Sequence, residues 1–329
     1  MLIGPELMAL RADDTPQRQI QQRLVQQSAA WRQSGPGAEL EAELAGLAAG
    51  QALAELPRLH ALFMPGSPAA ADLVGGAVGW LLGELGQAPL GQVPLRHQCD
   101  RTLATLVLAR CGSANLALQA IDGAGLALKP PAQSVTFAAN EAWEHVMAGS
   151  AEVELVRAVH RHPQGVALER TEARLHAGVI THRRGRDTAQ IFKSVSGIMV
   201  LLKLQRPEPS PEPSPEPSCE YALEDGRLLH QAAASPRDSR LELAVSLLGR
   251  MGRIDAAPLL ASMAEETGSP HLRWQALREC LGLDSGAGFA ALTAIARRSD
   301  DPLAAPAGAL RAQLLEAYPQ LAEVNICPA

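Results

Sequence analysis

Apolar residues recur at helical spacing through the first ninety positions. Ile20, Leu24 and Trp31 share a face with Gln27, and Leu40, Leu44, Leu47 and Leu53 share another. That spacing predicts amphipathic helices. Thr15 followed by Pro16 is a helix start, with Thr as N-cap and Pro at the first helical position. Ser34–Gly37 ends the first helix. A second is expected over residues 38–56, limited by Pro57. A third spans residues 69–86, where small residues and glycines lower helix propensity but let neighbouring helices approach closely. Residues 1–90 are thus expected to be an α-helical region packed on the next segment of the chain.

The period then changes to two. Thr102–Arg110 and Asn115–Gly123 alternate around Cys-Gly-Ser and predict a hairpin. Lys129–Gln133 breaks the pattern. Two further runs come next, with turns expected at Ala138–Glu141 and at Gly149. Alternation returns in Val166–Leu175, Gly178–His182, Gln190–Val195 and Gly197–Gln205. About eight short strands with Gly and Pro turns, and no helical stretch between them, predict a sandwich or small barrel over residues 91–205.

Residues 206–218 repeat Pro-Glu-Pro-Ser. Proline at alternate positions removes backbone donors and favours polyproline II, so this segment is expected to be an extended linker and the main domain boundary. From 219 to 329 every stretch is expected to be helical. A period of 33 aligns Leu248, Leu281 and Leu314, Ala244, Leu277 and Leu310, and Leu259 with Leu292. Ser269-Pro270 and Asp301-Pro302 begin successive units, and Gly249 and Gly282 mark the turns inside them. The pattern resembles HEAT-type helical repeats. That resemblance implies stacked helix pairs that offer a surface to another protein. With about two and a half units, the array is expected to lean on another part of the chain or on a partner.

Residues 175–197, LHAGVITHRRGRDTAQIFKSVSG, resemble the first conserved motif of the cupin β-barrels. Gly178 leads it, His182 fills the first His position and Gly197 closes it. Arg184 stands at the second His position and Gln190 at the carboxylate position. The resemblance implies a double-stranded β-helix barrel with Arg184 pointing inward. The whole chain is therefore expected to be an α+β multidomain protein. Its parts would be a helical N-terminal region, a cupin-like double-stranded β-helix barrel, a linker and C-terminal α-helical repeats.

Composition narrows the function classes. A net charge of -6 argues against a nucleic-acid surface. The first residues lack a basic stretch followed by an apolar core, and no apolar run reaches membrane-spanning length. The expected location is the cytoplasm, with no membrane partner. Five scattered cysteines without a C-x-x-C pair fit free thiols in a reducing compartment.

Two candidate chemistries remain. Arg183, Arg184 and Arg186, with Gln190, are candidates for holding a small anionic ligand at a barrel mouth, because Arg forks match carboxylates and phosphates. The favoured reading has no cofactor and makes the chain an interaction or regulatory protein with another protein as partner. The alternative is a metal-dependent cupin-type enzyme, a dioxygenase or isomerase, with His160, His162, His176 and His182 around Fe, Mn, Ni or Zn. Arg184 weighs against it, since a guanidinium has no lone pair for a metal. Glu141, Glu144 and His145 form a further acid–base candidate, set against the simpler reading of a strand with one wet face.

Overall fold

The computed structural model describes residues 8, 10–11, 13–33, 35–88, 90–162, 165–208, 217–232 and 236–323. It divides the chain into two compact units, residues 1–209 with 220–229 and residues 210–219 with 230–329. The helical N-terminal region and the β-rich region therefore belong to one unit.

In that unit, helices α1 (Thr15–Gln33), α2 (Gly35–Ala48), α3 (Pro57–Leu62) and α4 (Ala69–Gly86) precede the strands. The expected second helix is cut short. Gly50 adopts φ +101°, a left-handed conformation that ends α2, and Pro57 opens α3 rather than closing its predecessor.

The main sheet is antiparallel, with the order β1-β2-β3-β8-β5-β6, and β7 pairs with β5. Its strands are β1 (His97–Cys99), β2 (Leu103–Cys111), β3 (Ala114–Asp122), β5 (Asn140–His162), β6 (Gly165–His176), β7 (Ile180–Arg184) and β8 (Thr188–Pro207). A short helix α5 (Gly123–Ala127) follows β3. The expected turn at Gly149 and the strand end at Gly197 are bulges instead. Both glycines have positive φ, +80° and +68°, inside continuous strands, and the β5–β8 register shifts around Ala148. A glycine with alternation on both sides is consistent with a turn or a bulge; here it bends a long strand. Strands β5 and β8 consequently run through both limbs of the sheet.

The two faces of this sheet have different cores. Leu116, Trp143, Leu202 and Leu204 pack with Leu40, Leu44, Leu47, Leu59 and Leu62 of the helices. On the opposite face Ile121, Val146, Val153, Leu175, Met199 and Leu201 form a separate cluster. The stretch Glu141–Val146 is buried throughout, which overturns the expectation of one wet face: Trp143 packs with leucines of the helices, and Val146 packs with Leu175, Met199 and Leu201.

The two ends of the expected linker, and the stretch after it, are corrected. Arg206 and Pro207 lie inside β8, and Arg206 is buried, so ordered structure extends past the expected boundary. Residues 209–216 of the Pro-Glu-Pro-Ser repeat lie outside the described residues. The chain beyond the repeat is not wholly helical: β9 (Ser218–Ala222) and β10 (Leu228–Ala232) form a three-stranded sheet with β4 (Ser134–Phe137). Their alternation across Glu-Asp-Gly is the strand–turn–strand signal that the helical expectation overlooked.

The second unit contains α6 (Pro236–Arg250), α7 (Ala257–Glu265), α8 (Pro270–Leu283), α9 (Ser285–Ala296) and α10 (Ala304–Ala317). Ser269 accepts a hydrogen bond from Leu272 N, and Asp284 accepts from Gly286 N and Ala287 N, capping α8 and α9. Leu260, Leu277, Cys280, Leu292 and Ile295 are fully buried in its core. Gly249 and Gly282 lie in the last turns of α6 and α8, within the helices rather than between them. Arg273 is not a surface residue: it donates to Ala264 O and forms a two-point pair with Asp301 (3.1 and 2.5 Å).

Candidate functional site

Residues Glu141 to His145 send side chains to both faces of β5, and two ionic clusters result. The first faces the helices. Glu141 lies opposite Arg206 on β8 and near His182 on β7. Arg206 Nε and Nη2 donate to Glu141 Oε2 at 2.9 and 2.8 Å, and Nη1 donates to Leu47 O and Gln51 O at 3.1 and 2.6 Å. His182 Nε2 donates to Glu141 Oε1 at 2.8 Å and stacks on Trp143, with ring centroids 4.9 Å apart and planes at 6°. His145 Nδ1 donates to Leu62 O at 2.9 Å. Glu141 and Arg206 are both buried, and both Glu141 carboxylate oxygens are hydrogen-bonded. This cluster ties the helical layer to the sheet.

The second cluster faces the other way. Glu144 lies opposite both Thr181 and Lys203, and Arg183 lies opposite Ala142 on the same face. Glu144 Oε1 accepts from Arg183 Nη2 at 2.7 Å and is 3.0 Å from Lys203 Nζ. Two cations thus meet one carboxylate whose side chain is 4% exposed; that of Arg183 is 16% exposed. Burial alone would push the Glu144 carboxyl up. The Lys203 ammonium and the Arg183 guanidinium outweigh it, and the pKa lies below the ordinary value. Glu144 Oε2, Arg183 Nε and Thr181 Oγ1 are buried without a hydrogen-bond partner among the described residues. A buried polar atom left unpaired is costly, and here one acceptor and two potential donors of that kind lie beside two cations and one carboxylate.

Of the four residues expected to bind an anion, one enters this cluster. Arg183 points inward, whereas Arg184 is 66% exposed with its Nε 3.9 Å from Glu208. The expected inward guanidinium at 184 is therefore corrected by one residue: alternation along β7 puts 183 and 184 on opposite faces. Other acidic side chains of the sheet have other partners: Glu141 pairs with Arg206 and His182, Glu169 with Arg157 and Asp187 with Arg161. Arg186 Nε lies 3.3 Å from Glu208 Oε2. Gln190 lies opposite Leu155, on the other limb of β8, with both polar atoms of its amide buried and unpartnered among the described residues. Lys203 was missed in the sequence. Its signal was its rarity: a single lysine in the apolar run Ile198–Leu204.

The histidines of the metal alternative are spread along the sheet. His160 lies opposite Ala167, His162 opposite Gly165, His176 opposite Ser150 and His182 opposite Trp143. His160, His162 and His176 are exposed. Among the described residues no three His, Cys, Asp or Glu side chains converge on a point. The acid–base candidate also separates, with Glu141 and Glu144 in different clusters and His145 on a backbone carbonyl.

No helix among the described residues is long and apolar enough to cross a membrane. No protein-family model matches the chain, and neither does any curated protein. Solved structures similar to part of it include KdgF from Halomonas sp., at 13% identity and TM-score 0.25, over 35% of this chain and 88% of that one. A cupin superfamily protein from Desulfitobacterium hafniense is similar at 9% identity and TM-score 0.22, over 34% and 83%. Ectoine synthase from P. lautus is similar at 8% identity and TM-score 0.23, over 35% and 70%. At these TM-scores the likeness is partial, and no activity, ligand or residue role passes from those proteins to this chain.

Proposed function

We propose that this chain is a binding protein of regulatory type, in which a cupin-like β-region takes a small anion and the helical unit meets another protein. The observation that carries the reading is the Glu144–Arg183–Lys203 cluster. It holds one carboxylate for two cations, with an unpartnered guanidinium Nε and threonine hydroxyl beside them. A carboxylate or phosphate oxygen would complete the charge balance and accept from both donors. Two cations that converge on one carboxylate, with two donors unpaired among the described residues beside them, make anion binding the chemistry this reading assigns to the cluster.

HEAT-like packing of the second unit belongs to the same reading. Leu243, Leu247, Met251 and Ile254 follow one another at spacings of four, four and three, and each is more than half exposed. That stripe along α6 and the turn after it supports a protein-facing surface on the first helix of the array.

The test is titration calorimetry of the whole chain with inorganic phosphate, acetate, malate and citrate. At least one should bind saturably with Kd below about 1 mM. Arg183→Met combined with Lys203→Met should abolish that binding and leave the circular dichroism spectrum unchanged. Absence of binding by every anion in the series to the wild-type chain would reject the reading.

A further inference from the structure

The second unit holds a cleft of about 640 Å³ that the proposed function does not use. Its walls are Trp274 of α8, Leu310 and Leu314 of α10, and Tyr318 and Leu321 just beyond α10. Arg278 stands one turn after Trp274 on α8, so the guanidinium and the indole share a helix face. Arg278 is exposed and makes no hydrogen bond or ion pair among the described residues. The first unit has a groove of similar size, about 630 Å³, lined by Trp31, Leu62 and Leu73, but its arginine, Arg58, is paired with Glu39. The C-terminal cleft therefore combines an apolar body with an unused cation at its edge.

We infer that this cleft binds an apolar monocarboxylate, such as a medium-chain fatty acid. Pockets of roughly 300–1,000 Å³ with apolar walls and a few oriented polar groups are typical small-molecule sites. Here the leucines and Trp274 take the hydrocarbon, and the planar Arg278 fork takes the carboxylate in two parallel hydrogen bonds. Charge complementarity selects the anion over a neutral alcohol of equal length. The chain length selects it over acetate, since each further buried methylene strengthens binding. The site is independent of the Arg183–Lys203 cluster, because every residue lining it comes from the second unit.

The experiment is calorimetric titration of the whole chain with octanoate, octanol and acetate. Octanoate should bind one to one, at least about tenfold more tightly than either control, as a charge-assisted pair predicts. Arg278→Gln should remove the advantage of octanoate over octanol. Tyr318→Glu, at an exposed position where folding is not at risk, should weaken octanoate by placing a like charge at the mouth. The titration is repeated with the chain carrying Arg183→Met and Lys203→Met, in which the Arg278-dependent octanoate site should persist, so that a carboxylate held at the anion cluster is not counted with it. Octanol binding as tightly as octanoate, or indifference to Arg278→Gln, would overturn the inference. Self-association that Tyr318→Glu abolishes and octanoate does not compete with would assign the cleft to a second copy of the chain, and would overturn it too.

Discussion

Glu141 and Glu144 are three residues apart on one strand, both are buried, and each meets arginine. Their surroundings nevertheless differ in kind. Around Glu141 a single buried arginine supplies the balancing charge, both carboxylate oxygens accept, and Arg206 spends its remaining donor on two backbone carbonyls of the helical layer. Around Glu144 two cations face one carboxylate, and three polar atoms lack partners among the described residues. The first arrangement is closed and has nothing left to offer a ligand. The second is held in place by the same sheet yet remains chemically incomplete. Buried charge by itself therefore does not mark a site; the proposal rests on the donors left unpaired beside it.

Breaking the closed cluster should cost the most. Arg206→Met leaves Glu141 buried without its main counter-charge and leaves Leu47 O and Gln51 O without their donor. Removing one partner of a buried pair costs about 3–5 kcal/mol. Urea denaturation should show that loss, and added phosphate should not restore it, because no vacant anion position is created. Recovery with phosphate would mean that the two clusters are not distinct in kind.

A smaller effect concerns acid stability. The folded pKa of Glu144 is lowered, so its contribution is fully present above the ordinary glutamate value of 4.5 and is lost as pH falls through the folded value. Lys203 is the largest Coulombic cause of the lowering. Lys203→Met should therefore raise the folded pKa and move the acid-unfolding midpoint to higher pH. Equal midpoints for wild type and variant would show that Lys203 does not hold the Glu144 charge.

Much of this architecture was legible in the chain, and the failures share a physical cause. Thr15-Pro16, Ser269-Pro270 and the Cys-Gly-Ser hairpin turn are local signals, and the elements they predict are present. Gly149 and Gly197 fit a turn and a strand end in the sequence but form bulges, because positive φ serves either and only pairing with distant residues decides. The repeat of 33 aligns Leu259 with Leu292, yet Leu259 is exposed and Leu292 fully buried. Sequence equivalence does not convey which helix lies at the edge of a stack. The candidate site was one residue out for a similar reason. The three arginines of HRRGR were visible as a group, but which one faces inward depends on the register of β7 against β5. Lys203 and Glu144 join Arg183 only through pairings that span 59 residues of chain, from 144 to 203.

The smallest effect is also the most discriminating. Thr181 lies opposite Glu144, and its hydroxyl is buried without a partner among the described residues. If the inner cluster is merely structural, that hydroxyl is a pure cost. Thr181→Val would then be neutral or stabilising by up to about 1 kcal/mol, with no other consequence. If the cluster receives an anion, the same substitution still leaves the unliganded chain at least as stable. It also removes a donor to the ligand, so the affinity for the anion should fall about tenfold or less, the worth of one hydrogen bond. Thermal unfolding without ligand and calorimetry with it measure the two consequences separately. Greater stability together with weaker binding is the expected pair, since it identifies an atom left unsatisfied in the fold for the sake of something absent from it. Lower stability in the free chain would show instead that the hydroxyl has a partner within the protein, and the contrast between the faces of β5 would narrow accordingly.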